Sequence, residues 1–247
     1  MPRTAVFLLV AGFTSPDRTA ASPARPMRLD PHSWTMLAWA VASVVAAIVM
    51  SPVLASWTVT APQRDLTRWW IPRRVSWPRW ITFATACLVA SALTVGEHPW
   101  PVWWLWGQVG AVLAVIDVEH HRLPTRLVYP LAAGEFAILV AYAAGDAAPH
   151  QLGRAIAAAV VVGGAWFALA FAMPRGLGLG DVRVVSIAAA VLGWHSWIRV
   201  LDGQLAVLLL SLLAAAILAL RNPDLRGRQM PVPMGPALIL GTILVGL

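Results

Sequence analysis

The sequence predicts an all-α protein, a polytopic transmembrane helical bundle of seven or eight spans, on three observations. Of its 247 residues 59% are hydrophobic and only 12% charged, with a mean hydropathy of +0.72, whereas a soluble domain carries about twice that share of charge. Apolar runs of membrane length recur along the chain. Arginine-rich and arginine-poor connections alternate between them.

In chain order the apolar runs lie near residues 34–56, 80–96, 100–117, 127–144, 152–173, 182–198, 204–220 and 232–247. A spanning helix needs about 20 apolar residues, with about 17 the practical minimum. The first, fourth and fifth runs meet this securely, and the last is marginal. Ahead of them, residues 1–33 read as an N-terminal tail. Its apolar stretch from Ala5 to Phe13 follows Arg3 and has the length of a signal-peptide core rather than of a span. Thr14 to Pro31 is rich in Ser, Pro and Arg. A disordered tail and a start codon set too far upstream, with Met27 as the true start, both fit the four arginines before residue 34 better than a processed signal does. Residues 34–247 then form one transmembrane domain.

The basic residues are all arginine, eighteen of them in a chain of formal net charge +7. In a membrane protein they report orientation first, so no nucleic-acid partner is expected. The connections 57–79 (Arg64, Arg68, Arg73, Arg74, Arg79), 118–126, 174–183 and 221–231 are arginine-rich. Those near 97–101, 145–154 and 199–203 hold only Arg154 and Arg199. The positive-inside rule makes the first set cytoplasmic. The single cysteine, Cys87, excludes an internal disulfide and a multi-cysteine zinc site. It reads as a core or lipid-facing residue. The fourteen tryptophans, among them Trp100, Trp103, Trp104 and Trp106, read as interface anchors.

Two carboxylates stand out against this background. Asp117 ends one apolar run, and Asp181 closes Gly178-Leu179-Gly180-Asp181 just before another. Acids at membrane depth are costly and mark candidate functional sites. Two crossings separate them, so both lie on the same face at similar depth and are expected to meet. Carboxylates held about 3 to 4 Å apart do not both ionise. One then activates a water while the protonated partner polarises a carbonyl and protonates the leaving amine, which is aspartic peptide hydrolysis without a cofactor or metal. Gly176, Gly178 and Gly180 free the backbone ahead of Asp181. The plainer reading of Asp181 is a first-turn acid favoured by the helix dipole.

The stretch Ile116-Asp117-Val118-Glu119-His120-His121-Arg122-Leu123-Pro124 resembles the first active-site motif of the type IV prepilin (leader) peptidases, in which an aspartate stands ahead of a Leu-Pro pair. Gly178-Leu179-Gly180-Asp181 is similar to their GxGD motif, shared with presenilin-type intramembrane aspartyl proteases. Pro233-Met234-Gly235-Pro236 is similar to the family's Pro-Phe-Gly-Pro segment before the last helix. The resemblance covers roughly residues 80–247, with the motifs in the family's order. It implies an aspartic endopeptidase of the bacterial inner membrane, with Asp117 and Asp181 as the catalytic dyad and Leu123, Pro124, Gly178 and Gly180 as its motif context. Its partners would be the lipid bilayer and prepilin or pseudopilin substrates, whose short basic leader is cut at the cytoplasmic face for pilus assembly or type II secretion.

Two departures qualify that implication. Larger bacterial members carry a four-cysteine cytoplasmic domain between the first two helices and methylate the new N-terminus. Here that connection is the cysteine-free stretch 57–79, so peptidase activity without N-methyltransferase activity is expected. The family often has Asp or Asn after the Leu-Pro pair, where this chain has Thr125.

Glu135, in the middle of the fourth run, is expected to be neutral or turned into the bundle. A structural hydrogen bond is the favoured reading, and a place in the active-site cavity the second. Glu119, His120 and His121 read as a polar interfacial loop rather than a metal site, since adjacent helical residues point in different directions. A proton- or cation-coupled transporter using the same acids is the alternative function. It predicts internal repeats or paired broken helices, and the sequence offers no convincing repeat. A catalytically silent relative acting in membrane assembly is the third.

Overall fold

The computed structural model describes residues 31–63, 66–94, 99–173, 177–221 and 233–246. The expected tail falls outside the described residues as far as residue 30, as does Gly176. Eight helices follow one another among the described residues, with no strand: α1 (Pro31–Thr60), α2 (Trp77–Thr94), α3 (Trp100–His120), α4 (Thr125–Gly145), α5 (Pro149–Ala172), α6 (Leu179–His195), α7 (Trp197–Arg221) and α8 (Gly235–Gly246).

Five of them, α1, α3, α4, α5 and α7, are long and apolar enough to cross a membrane. The fold class is the predicted one, a multi-pass helical membrane bundle, and the element bounds differ in informative ways. α7 begins seven residues before the apolar run at 204–220, because Trp197 to Gly203 continue the helix into the bundle, where Val200 and Gly203 are buried. α8 has only 12 residues, about 18 Å at 1.5 Å per residue, against a hydrocarbon core of about 30 Å. The helix described within the marginal run at 232–247 is thus shorter than that core. It packs against α3, α6 and α7, and a short helix at membrane depth is tolerated where protein encloses it.

α3 is the hub, touching α1, α2, α4 and α8. This placement overturns the reading of two of its tryptophans as interface anchors: Trp103 and Trp106 are fully buried. Trp104, on another face, donates its indole N–H to the Ser43 carbonyl at 3.3 Å. Cys87 is a core residue on α2. α6 is the second enclosed helix, buried along Val182, Val184, Val185, Ile187, Ala188 and Ala189 and packed most extensively on α5. α7 is the least enclosed, with Leu201, Leu205, Leu208, Leu209, Leu212 and Leu213 on its exposed side, as a lipid-facing helix requires. The two candidate acids thus sit at the ends of two well-buried helices.

Candidate active site

Three helix ends converge on the acids. α3 stops just beyond Asp117 because His121 takes a left-handed conformation (φ 49°) and donates its N–H to the Asp117 carbonyl at 2.8 Å, a helix-terminating geometry. The chain then passes through Leu123 to Pro124, the extended residue ahead of α4. α6 starts behind Gly178, and α8 starts at Gly235.

Each aspartate meets the start of a helix. Asp181 Oδ2 accepts from the Gly178 N–H at 3.2 Å, and Asp117 Oδ2, on a buried side chain, accepts from the Gly235 N–H at 2.7 Å. A carboxylate at a helix N-terminus satisfies an orphan amide and complements the helix dipole. Asp117 therefore belongs to α3 by sequence and caps α8, 118 positions away. The cap reading of Asp181 and its membership of an acid pair hold together.

Glycines let these ends close up. A Cβ on Gly235 would lie 2.8 Å from Asp117 Cβ and 3.0 Å from its Oδ2, and one on Gly180 would lie 3.0 Å from Leu123 Cβ. The three sequence motifs touch one another through positions where a side chain does not fit.

Asp117 and Asp181 line one cavity of about 430 Å³, together with His121, Leu123, Pro124, Gly178 and Gly180. The expectation that topology brings the acids together is met. Asp181 lies in the first turn of α6, outside the five candidate spans. Burial, and then the Asp117 carboxylate, push its carboxyl up to about 6, while the Gly178 amide acts in the opposite direction.

Residues 104–220, from α3 to the end of α7, match the family model of the type IV leader peptidases. Over this stretch, a little under half of its length, the chain is similar to that family. No curated protein and no solved structure matches the chain. The matched segment holds both aspartates, and Gly235 reaches the site from beyond it.

Sequence reasoning about the site missed several contributors. Gly235 was part of a motif without a role, and its signal was a Gly-Pro pair at a helix start. The connection 57–79 is a wall of the cavity through Ala61 and Pro62. Arg126 holds it there by donating to the carbonyls of Gln63 and Leu66 at 3.0 Å each. Thr125 is used by Arg183, which donates to its Oγ1 at 3.2 Å and lies over the Tyr129 ring at 5.5 Å. Glu119 pairs with Arg79 at 2.6 Å. Among the described residues no group of three or more His, Cys, Asp or Glu side chains is placed to hold a metal ion.

Glu135 departs from both readings. It is 2% exposed, yet neither carboxyl oxygen has a hydrogen-bond partner among the described residues, so the structural hydrogen bond is not made. Nor does it line the cavity of the two aspartates. Ten residues of α4 separate it from Thr125, about 15 Å of rise.

Proposed function

We propose that the chain is a membrane-embedded aspartic endopeptidase that removes the short basic leader of prepilin or pseudopilin substrates at the cytoplasmic face of the bacterial inner membrane. The observation that carries this reading is the meeting of Asp117 and Asp181, 64 positions apart in sequence, in one cavity. The family match supports the peptidase class. The arginine-rich connections support the side of the membrane.

The roles follow from the electrostatics. Asp181, with its carboxyl raised to about 6 by burial and by its neighbour, carries the proton. Asp117 is the charged partner. Its carboxylate takes a proton from the attacking water as the water oxygen bonds to the scissile carbonyl carbon. Asp181 gives its proton to the carbonyl oxygen. As the tetrahedral intermediate collapses, one of its two hydroxyls returns a proton to Asp181 and re-forms the carbonyl, the C–N bond breaks, and the proton held by Asp117 passes to the leaving amine. Gly178 and Gly180 line the approach to the cavity without side chains. The connection 57–79 walls the cavity where larger relatives carry a cysteine-bearing domain, so the enzyme is a peptidase without N-methyltransferase activity.

The test is co-expression with candidate prepilins and comparison of leader removal by wild type, Asp117→Asn and Asp181→Asn at matched membrane levels. Cleavage by wild type alone supports the dyad, and cleavage surviving in either variant overturns it. An N-methylated product made by this enzyme alone would refute the restriction to peptidase activity.

A further inference from the structure

The connection between α1 and α2 has a composition that neither the dyad nor the fold requires. Residues 66–80 hold Arg68, Arg73, Arg74 and Arg79, four tryptophans and no acidic residue. Arg79 is committed to Glu119 and Thr58. Arg68, Arg73 and Arg74 are exposed, and their guanidinium groups have no partner among the described residues. Between them Trp70, Ile71 and Trp77 are also exposed, at 54%, 46% and 68%.

This segment is not loosely attached. The Ser56 hydroxyl accepts the Arg73 backbone N–H at 2.6 Å, and the Trp57 indole N–H donates to the Trp70 carbonyl at 3.2 Å. Trp69 turns inward onto Trp57, with ring centroids 5.7 Å apart. Those two rings line part of a second cavity of about 220 Å³ between α1, α3 and α4, apolar along Met50, Leu54, Leu127 and Leu131. Along α1 it runs from Met50 to Trp57, about 10 Å.

Exposed arginines interleaved with exposed indoles, at the mouth of an apolar crevice in a membrane bundle, match one kind of partner in both charge and polarity. We propose that segment 66–80 and the α1–α3–α4 crevice bind an anionic phospholipid, its phosphate on Arg68, Arg73 and Arg74 and an acyl chain in the crevice. Basic side chains at a membrane surface favour anionic lipid, and tryptophans hold such a segment at the headgroup level. A soluble acidic protein would satisfy the arginines but leave the indoles and the crevice uncovered. The same connection supplies Ala61 and Pro62 to the aspartate cavity, so a bound lipid steadies that wall. The proposal rests on the membrane bundle and not on the peptidase reading.

The test uses the full chain in nanodiscs of equal phosphatidylglycerol and phosphatidylcholine, released into mild detergent, with retained lipid counted by native mass spectrometry. Each basic residue near an anionic surface favours binding by about fivefold. The wild type is therefore expected to retain phosphatidylglycerol at least tenfold over phosphatidylcholine. In the exposed triple variant Arg68→Gln/Arg73→Gln/Arg74→Gln that ratio falls towards one, with the melting temperature unchanged. A short-chain phosphatidylglycerol, which keeps the headgroup but cannot fill the crevice, is expected to be lost on release. Equal retention of the two lipids by wild type, an unchanged ratio in the triple variant, or displacement of the lipid by inorganic phosphate alone would overturn the proposal. No arm depends on cleavage, so failure here and failure of the peptidase reading are separable.

Discussion

The same two helices, α6 and α8, are capped at both ends by side chains of opposite charge, and the two ends have different work. At their starts stand Asp181 and Asp117, accepting from Gly178 and Gly235. At their finishes stand arginines. Arg154 donates to the carbonyls of Gly193 (2.6 Å), Trp194 and His195 (2.7 Å), and Arg199 donates to the carbonyl of Gly246 at 2.7 Å. Both arrangements follow the helix dipole. They differ in detail. Arg154 spends two of its guanidinium nitrogens on three carbonyls, whereas Asp117 is held through Oδ2 by the Gly235 amide and Asp181 by the amides of Gly178 and its own backbone. One end is closed and structural; the other is held by the same physics and left with acid chemistry to offer.

The largest expected effects break this comparison at the acidic end. In the proposed mechanism Asp117→Asn and Asp181→Asn each remove a group that moves a proton, and each is expected to lower kcat by about 10³-fold or more, read by leader removal at matched protein levels. Gly235→Ala comes next. The new Cβ would sit within 2.8 Å of Asp117 Cβ, so the carboxylate shifts, and a misplacement of about 1 Å costs about 100-fold. Arg154→Gln is the counterpart at the other end. It leaves turnover per folded enzyme within about twofold and lowers stability by about 2 kcal/mol, measured as thermal unfolding in detergent. A large loss of turnover there would erase the distinction between the two ends.

A pH profile sharpens the assignment within the acidic pair. The folded carboxyl of Asp181, at about 6, lies above its unfolded value, so the stability it contributes is fully present below the unfolded value and is lost as pH rises through about 6. The proton that the proposed mechanism assigns to Asp181 leaves over the same interval. The kcat/KM profile, which reports the free enzyme, is expected to fall on its alkaline side with a midpoint near 6. Asp181→Asn, neutral at every pH, is expected to unfold at a higher temperature than wild type at pH 8 and to show no such advantage at pH 4. A profile flat through this range would place the proton elsewhere.

Much of this was legible in the chain. Asp117 and Asp181 are conspicuous because acids are expensive near hydrocarbon, and counting crossings is enough to put them on one face. The Leu123-Pro124 and GxGD spacings are local, so a linear reading finds them. What could not be read is long-range: that Asp117 caps a helix 118 positions later, that Gly180 is small because Leu123 lies against it, and that Ala61 and Pro62 wall the cavity. Composition also misled where burial depends on neighbours. Trp103 and Trp106 look like interface anchors until α3 is seen to be the hub of the bundle. The run that holds α8 was marginal for a span, and its described helix of 12 residues is enclosed by α3, α6 and α7.

Glu135 gives the smallest expected effect and the finest test of the contrast between acids that are used and acids that are not. It is as buried as Asp117, but it caps no helix, has no partner among the described residues and lies about 15 Å up α4 from the cavity. A buried polar group left unsatisfied costs about 1 to 3 kcal/mol. Glu135→Leu, which fills similar space without the carboxyl, is therefore expected to raise stability by about 1 kcal/mol, and Glu135→Gln to leave cleavage within about twofold of wild type. Thermal unfolding and leader removal measured on the same two preparations separate the outcomes. A loss of cleavage with stability intact would tie Glu135 to the aspartates across that distance and favour proton relay through the bundle, the feature on which the transporter alternative depends. Unchanged cleavage with a gain in stability would confine the acid chemistry to the pair at the starts of α6 and α8.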